Sequence, residues 1–481
     1  MAPDLIDPKQ YRKLFLDDGD LVATQGTTRT LHPPKKFGPL IKGGVQSRSA
    51  PIWNPEKAIW EWWYMGQGAR YATSVDGEHW EKPSLGRYEW EGSKDNNIAC
   101  DPNGMGLYHI IRDEHDTDPR RRYKALFSSG NRQAGVSPDG FTWTMLDSVS
   151  IPSQDESQFC WDPYTEQYLA LVKQGTEWGR SVWLSTSKDF DHFTEPKLIF
   201  HADETDWENC RQRVRKIIDN PAYITPPLID DEDYIAEIYN MAVLPYQGLY
   251  IGFPTVFNPF GAIPPPATNF TRINQIEMSV SRDLYTWERV ANRTPFIGIE
   301  PFDGENYGTS QLLMSGPPII RDNGEIWAYY NALRMPGSVE MYRRFNRAKE
   351  LFRLGVDERH FADAGALSLV KIQPDRFVSI DGDEIGTIVT KAFHWRGEDL
   401  YLNADARWGE IYAEIQDAET GRPHPGFWIP GEEPPPYTGN SLRAKYIWKH
   451  PHDLVFAKPV RLKFYLHQTR LYSYWLEDRS A

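Results

Sequence analysis

A seven-residue phrase, Ser74-Val75-Asp76-Gly77-Glu78-His79-Trp80, returns along the chain and constrains its fold more than any other feature. It recurs as Ser137-Pro138-Asp139-Gly140-Phe141-Thr142-Trp143, as Ser187-Lys188-Asp189-Phe190-Asp191-His192-Phe193 and as Ser281-Arg282-Asp283-Leu284-Tyr285-Thr286-Trp287. A weaker copy is Gly355-Val356-Asp357-Glu358-Arg359-His360-Phe361. In every copy an aromatic ring follows the aspartate by four positions. Asp-Gly between strand-like flanks marks a hairpin turn. The carboxylate can cap the turn backbone, and the ring can pack between adjacent sheets. Each copy therefore predicts one β-hairpin.

The stretch before each hairpin repeats as well: an apolar strand, a polar turn and an aromatic-rich strand. Examples are Gln158-Phe159-Cys160-Trp161-Asp162-Pro163 followed by Gln167-Tyr168-Leu169-Ala170-Leu171-Val172, and Pro318-Ile319-Ile320-Arg321-Asp322 followed by Glu325-Ile326-Trp327-Ala328-Tyr329-Tyr330. Two strands plus a hairpin make a four-stranded unit. Five such units predict an all-β chain whose residues 1–369 form a five-bladed β-propeller. After about residue 366 the pattern changes to short alternating strands at spacings typical of a β-sandwich, so residues 370–481 are expected to be a C-terminal sandwich domain. Insertions absorb the uneven spacing of the units. One, around 206–218, predicts a short helix. Another holds Ile263-Pro264-Pro265-Pro266, and a third carries the basic run Tyr342-Arg343-Arg344-Phe345-Asn346-Arg347. Long loops of this kind are expected to rim a pocket.

Composition removes several classes of function. Lys+Arg number 53 against 67 Asp+Glu, a net charge of −14, which argues against nucleic acid or an anionic membrane as partner because phosphate contacts need a basic surface. No apolar run is long enough to span a bilayer. Cys100, Cys160 and Cys210 form neither a disulfide framework nor a zinc motif. The opening Met1 to Lys13 lacks a signal-peptide pattern, which predicts a cytoplasmic chain, or a secreted or periplasmic one whose leader has been removed. The sequons at Asn269 and Asn292 are common by chance.

In a propeller the first strand of each blade lines a central pore, and ligands bind at one mouth. The windows at the starts of those strands are Gln46-Ser47-Arg48-Ser49, Asn103 to His109, Asp155-Glu156-Ser157, Glu237-Ile238-Tyr239-Asn240 and Asp303-Gly304-Glu305-Asn306-Tyr307. Carboxylates converging on an axis among aromatic rings suit glycosidic bond cleavage, one protonating the leaving oxygen and another acting as base or nucleophile. The candidate catalytic residues are Asp155, Glu237 and Glu305. Strand alternation sets Glu156 on the face opposite Asp155, so only one of the two is expected to face the pore. Candidate substrate contacts are Arg48, Trp53, His109, Tyr239, Asn240, Tyr307 and Gln311; a mid-strand histidine such as His109 also reads as a core residue. Asp113 falls where its strand enters a turn and reads as structural. No His, Cys or Asp cluster has metal-ligand spacing, and no cofactor is implied.

The chain resembles the five-bladed propeller glycoside hydrolases of the fructosidase and arabinanase superfamily, and bacterial proteins described as similar to glycosyl hydrolase family 32. The resemblance rests on Leu14-Phe15-Leu16-Asp17-Asp18, Tyr71-Ala72-Thr73 running into Ser74 to Pro83, Gly92-Ser93-Lys94-Asp95-Asn96-Asn97-Ile98, Arg122-Tyr123-Lys124-Ala125, Gly426-Phe427, Lys458-Pro459-Val460-Arg461-Leu462 and Leu471-Tyr472-Ser473-Tyr474-Trp475. It spans nearly the whole chain, and its motifs are mostly structural. It implies three working carboxylates: an Asp in blade one, a second Asp and a Glu general acid. Glu237 stands where the acid would be, and Asp155 looks like the supporting Asp. The blade-one window departs from the pattern, since it offers Arg48 and no carboxylate, and Glu305 is expected to supply the missing group. The resemblance implies a glycosidase with a carbohydrate substrate. A catalytically silent sugar-binding propeller, a lyase that uses a cation such as Arg48, and a phosphorylase with several pore-facing cations stay open, as does a homo-oligomer.

Overall fold

The computed structural model describes residues 5–66, 68–101, 104, 106–228, 235–262, 270–424, 434–449 and 455–479. Asn103, the proline-rich loop 263–266, Asn269 of the first sequon and Gly426-Phe427 lie outside the described residues. The described chain is nearly all β, with helices at Glu204–Ile218, Val339–Arg344, Ala348–Arg353 and Glu358–Ala362. Among the described residues no helix is long and apolar enough to cross a membrane.

The four full copies of the repeated phrase form tight turns. Asp76 Oδ1 accepts from the N–H groups of Glu78 and His79 at 2.8 Å, and Asp283 Oδ1 accepts from Tyr285 and Thr286 at 2.8 and 2.7 Å. Asp139 and Asp189 do the same. The serine two positions earlier accepts from the residue after the aspartate. That residue is left-handed each time: Gly77 at φ 85°, Gly140 at 78°, Phe190 at 68° and Leu284 at 71°. A side chain there costs about 1–2 kcal/mol. Burying Phe190 and Leu284 returns roughly 1.5–3 kcal/mol each, and both are buried, so burial wins. The ring at the end of the phrase packs inward, Trp80 on Trp62 at 4.9 Å and Trp143 on Phe127 at 5.2 Å.

The weak copy is a helix start and not a hairpin. Asp357 caps the helix Glu358–Ala362 and accepts from the Arg359 N–H at 2.9 Å. A short acidic side chain that takes the next N–H groups serves a turn and a helix N-terminus alike. The residues that follow, Glu358-Arg359-His360, then decide for helix.

The strands assemble into antiparallel ladders in chain order. The first holds Ile52–Asn54, Ile59–Gly66 and Gly68–Ser74. The second runs through Leu107–Arg112, Tyr123–Phe127, Arg132–Ser137 and Thr144–Ile151. The third runs through Ser157–Asp162, Gln167–Thr176, Gly179–Ser187 and Lys197–Phe200. A fourth holds Glu237–Tyr246, Leu249–Ala262, Ser279–Ser281 and Trp287–Arg289. The fifth holds Gln311–Met314, Ile326–Leu333 and Gly365–Ile372, and is completed by Lys35–Lys42 from the start of the chain. Strand Phe270–Ile276 joins the last two ladders, antiparallel to one and parallel to the other at Asn274 and Gln311.

Side chains stitch neighbouring ladders around a shared axis. His109 bonds the Arg48 carbonyl at 2.7 Å and Ser157 Oγ at 2.6 Å. Gln158 Nε2 donates to the Met314 carbonyl at 3.0 Å, and the Asn331 amide holds the backbone of Ser47 in both directions. At one end of the axis lies a cavity of about 410 Å³ to which every ladder contributes, with Ile52, Ile111, Trp161, Pro245 and Ile319 in its lining.

Beyond residue 377 the strands form one continuous sheet around a separate apolar core that includes Trp395, Phe464 and Tyr474. Strand Thr469–Glu477 pairs with both Val378–Thr390 and Asp399–Asp417, and Val460–His467 pairs with the same two. The long strands pass through register shifts at 402–404 and 406–411, which lets one sheet bend over its own core. Strands Lys13–Leu14 and Leu21–Leu31 belong to this sheet. A division of the chain at 369/370 therefore leaves these N-terminal strands on the wrong side, because ladder pairing follows backbone hydrogen bonds and not nearness in sequence. Buried Asp375 ties the two regions together, accepting from Arg12 at 3.1 Å, Tyr246 at 2.5 Å and Ser473 at 2.7 Å.

Candidate functional site

At the other end of the axis, the starts of the inner strands bring charged side chains together. The chain enters strand Ser157–Asp162 through Asp155, which is left-handed at φ 56°. Its N–H donates to the Ser129 carbonyl at 2.7 Å. Its carboxylate accepts from Lys173 Nζ at 2.8 Å and from the Tyr239 hydroxyl at 3.2 Å. The side chain is 54% exposed while Lys173 is 5% exposed, so the carboxylate faces solvent and the ammonium sits behind it. Burial would raise the Asp155 pKa, but the Lys173 charge and the bonds from Lys173 and Tyr239 prevail and hold it below the ordinary carboxylate range. Burial lowers the pKa of Lys173, and its ammonium lies 4.1 Å from the Tyr239 ring centre.

Glu156 is buried and grips Arg48 through both carboxylate oxygens. The pair crosses from the third ladder to the first. Against the effect of burial, Glu156 holds Arg48 above the ordinary arginine value. Both Asp155 and Glu156 act electrostatically on Tyr108, Arg132, Lys173 and Tyr239. Asp155 is exposed and Glu156 is buried on Arg48; the strict alternation expected for the two holds for extended residues, and a left-handed Asp155 departs from it, so both reach the same neighbours.

Glu237, at the start of its strand, is gripped by the Arg180 guanidinium and accepts from the Arg180 N–H at 3.1 Å. Gly179, at φ 79°, makes this approach; a Cβ there would lie 2.3 Å from Glu237 Oε1. Arg180 covers the Phe257 ring at 4.6 Å. Gln311 accepts from Arg272 Nε at 3.0 Å, and Arg272 reaches over the rings of Tyr239 and Phe257.

The mouth thus gathers Arg48, Asp155, Tyr239 and Gln311, with Glu237 close by. Arg48 spends its donors on Glu156, Gln46 and the Ser47 carbonyl. His109 is buried with both ring nitrogens bonded, and burial together with Arg132 keeps its pKa well below the ordinary histidine value. Asn240 is buried and pairs across its ladder with Thr255. Trp53 lies further down its strand against Trp60. Glu305 sits in an exposed turn capped by Asp303, with its carbonyl bonded to Arg334. Tyr307 donates to Asp363 beneath Arg334. Among the described residues no hydrogen bond or ion pair joins Glu305 or Tyr307 to Asp155, Glu156 or Glu237. Glu156 and Tyr108 fall within the windows read from the sequence without being chosen as site residues, whereas Lys173, Arg132 and Arg180 lie outside those windows. Lys173 carried a usable signal, since an ammonium ending the apolar run Tyr168 to Val172 needs a buried partner.

A larger cavity, about 1020 Å³, lies elsewhere, between the helix Glu204–Ile218 and the turn at Asn292–Pro295. Two arginines of its lining meet acids, Arg213 with Glu277 at 2.5 Å and Arg293 with Asp203, and Arg289 outside the lining meets Asp206 at 2.5 Å. These bonds dock the helix. In the basic run 342–347, Arg343 meets Glu358 and Arg347 meets Glu350. Among the described residues no cluster of His, Cys, Asp or Glu could hold a metal.

No family model matches the chain, and no curated protein matches it. Solved structures to which it is similar include an N-acetylgalactosamine deacetylase from F. plautii in complex with blood group B trisaccharide, at 11% identity and TM-score 0.41, covering 72% of this chain and 96% of that one. An α-L-arabinofuranosidase from Podospora anserina in complex with cellotriose gives 10%, 0.40, 72% and 98%. A β-fructofuranosidase from Schwanniomyces occidentalis complexed with fructosyl-erythritol gives 11%, 0.38, 99% and 100%.

Proposed function

We propose that this protein is a carbohydrate-active enzyme, a glycosidase, working at the charged mouth of a five-bladed propeller that is followed by a C-terminal β-sandwich-like domain. The observation that carries this reading is Asp155: an ionised, solvent-facing carboxylate fixed by Lys173 and Tyr239 at the open end of the inner strands. Such a group suits the base or nucleophile of glycoside cleavage, or the charge that stabilises an oxocarbenium-like centre. Glu237 is the second carboxylate. It becomes a proton donor only when Arg180 turns away, because the guanidinium binds the ionised form. Carboxylate Glu305 has no part in this arrangement.

A second reading is favoured by the pairing itself. Asp155 with Lys173, Glu156 with Arg48 and Glu237 with Arg180 leave each mouth carboxylate matched to a cation, which suits a propeller that binds sugar without turning it over. A panel of aryl-glycosides and plant or microbial oligosaccharides, run on wild type, Asp155→Asn and Glu237→Gln, separates the two. Sugar release that falls by at least about a hundredfold in Asp155→Asn supports the glycosidase. Saturable binding without release supports the binder, and release that survives both substitutions overturns the assigned residues.

A further inference from the structure

Among the described residues one buried cation has no acid of its own. Arg132 opens strand Arg132–Ser137 and is fully buried. Among the described residues it forms no ion pair. One arm of its guanidinium donates to the Ser128 carbonyl and the other to the Asp155 carbonyl. Its plane lies over the Tyr108 ring at 4.3 Å, and its Nε has no partner. Burial lowers its pKa to about 10. Such a charge is expensive to keep out of water.

Both carbonyls belong to left-handed residues, Ser128 at φ 76° and Asp155 at φ 56°. Neither is glycine, so each conformation has to be held from outside. The surrounding bonds join the same two loops: Asp155 N–H to the Ser129 carbonyl at 2.7 Å, and Ser153 N–H to Asn131 Oδ1 at 3.3 Å. A flat, forked donor reaches two carbonyls at once, whereas an ammonium presents a single point of charge.

We propose that Arg132 is the positioning residue for Asp155, holding its backbone left-handed so that the carboxylate shares the mouth with Glu156. The inference rests on Asp155 being the working carboxylate. Without the fork, Asp155 relaxes toward extended backbone. Alternation then carries its side chain to the opposite face, away from Lys173 and Tyr239.

The test uses the full chain with Arg132→Lys and Arg132→Met, and folding is checked by thermal unfolding. Arg132→Lys keeps the charge and loses the fork: kcat on the substrate found in the panel is expected to fall at least about tenfold, with KM within about twofold and the acid limb of the pH profile moved to higher pH as Asp155 leaves Lys173 and Tyr239. Arg132→Met also removes a cation close to Asp155, so the acid limb moves further in the same direction. Crystal structures of both variants are expected to show Asp155 away from Lys173. Wild-type kcat in folded Arg132→Lys, or an unmoved left-handed Asp155 in either variant, overturns the proposal. If Asp155→Asn leaves turnover intact, the glycosidase reading of Asp155 fails by itself, and the crystallographic arm still decides what Arg132 positions.

Discussion

The inner strands end in two different ways. At their starts they present Arg48, Asp155, Glu156 and Glu237, each tied to an opposite charge. A few residues further along, the same strands close around Ile52, Ile111, Trp161 and Ile319. His109 and Gln158 form crossbars between the two ends. The scaffold is common to both, so what separates a charged end from an apolar one is the choice of side chain at strand positions that the fold itself does not constrain. Charge at one end costs stability unless paired; apolar rings at the other end contribute to it.

Breaking the crossing ion pair should give the largest difference between the ends. Glu156→Gln leaves Arg48 buried and unpaired and is expected to cost about 3–5 kcal/mol, read by urea unfolding. Replacing both partners, as Arg48→Met with Glu156→Leu, should recover most of that loss. Next comes Asp155→Asn, expected to lower turnover about a hundredfold, or about 2.7 kcal/mol of barrier, and to cost a smaller amount of stability, about 1–2 kcal/mol, because buried Lys173 loses its acid. An equal loss of stability would make Asp155 a structural residue. Asp283→Ala, far from either end, should cost about 1 kcal/mol by loss of its turn cap and leave turnover unchanged. Ile319→Ala at the apolar end should cost no more than about 1 kcal/mol, because the side chain is only partly buried, and should leave kinetics untouched.

A smaller effect is expected in acid. Burial opposes it, but the N–H groups and rings of His79 and His192 hold Asp76 and Asp189 well below the ordinary carboxylate value. The unfolded chain therefore takes up protons first as pH falls. The stability from these turns is complete above about pH 4 and drains away below it, through the lowered native values. Asp76→Asn combined with Asp189→Asn should flatten the acid limb of a stability-against-pH curve. An unchanged limb would place the acid sensitivity elsewhere, Asp155 being the next group to test.

The ladders were legible in the sequence because the turn chemistry is local. A serine, an aspartate and a left-handed residue close the turn wherever they fall, and the ring that follows reports the strand face. The same local logic misread Asp357, where helix-forming neighbours used the capping aspartate differently. It also placed residues 13–31 with their neighbours in sequence, although Leu21–Leu31 pairs with Val378–Thr390. At the mouth, the starts of the strands pointed to Arg48, Asp155, Tyr239 and Glu237. Of the partners that define them, Glu156 stands at a strand start as well, but Lys173 and Arg180 come from the hairpin between Gln167–Thr176 and Gly179–Ser187, and their approach depends on how one ladder sits against the next. Such approach leaves no periodic trace. The left-handed turn at Asp155, which undid the alternation argument, has no glycine or asparagine to announce it.

Strand Lys35–Lys42 belongs to the same ladder as Gly365–Ile372, with Lys42 opposite Ala366. During synthesis the earlier strand leaves the ribosome long before its partner exists. At a translation rate of about 5–20 residues per second, it waits for a time on the order of tens of seconds as an uncovered edge. That ladder can be completed only after Gly365–Ile372 has emerged. Until then the early strand offers unpaired N–H and C=O groups to other chains, so nascent-chain handling in that interval bears on how much of the protein folds.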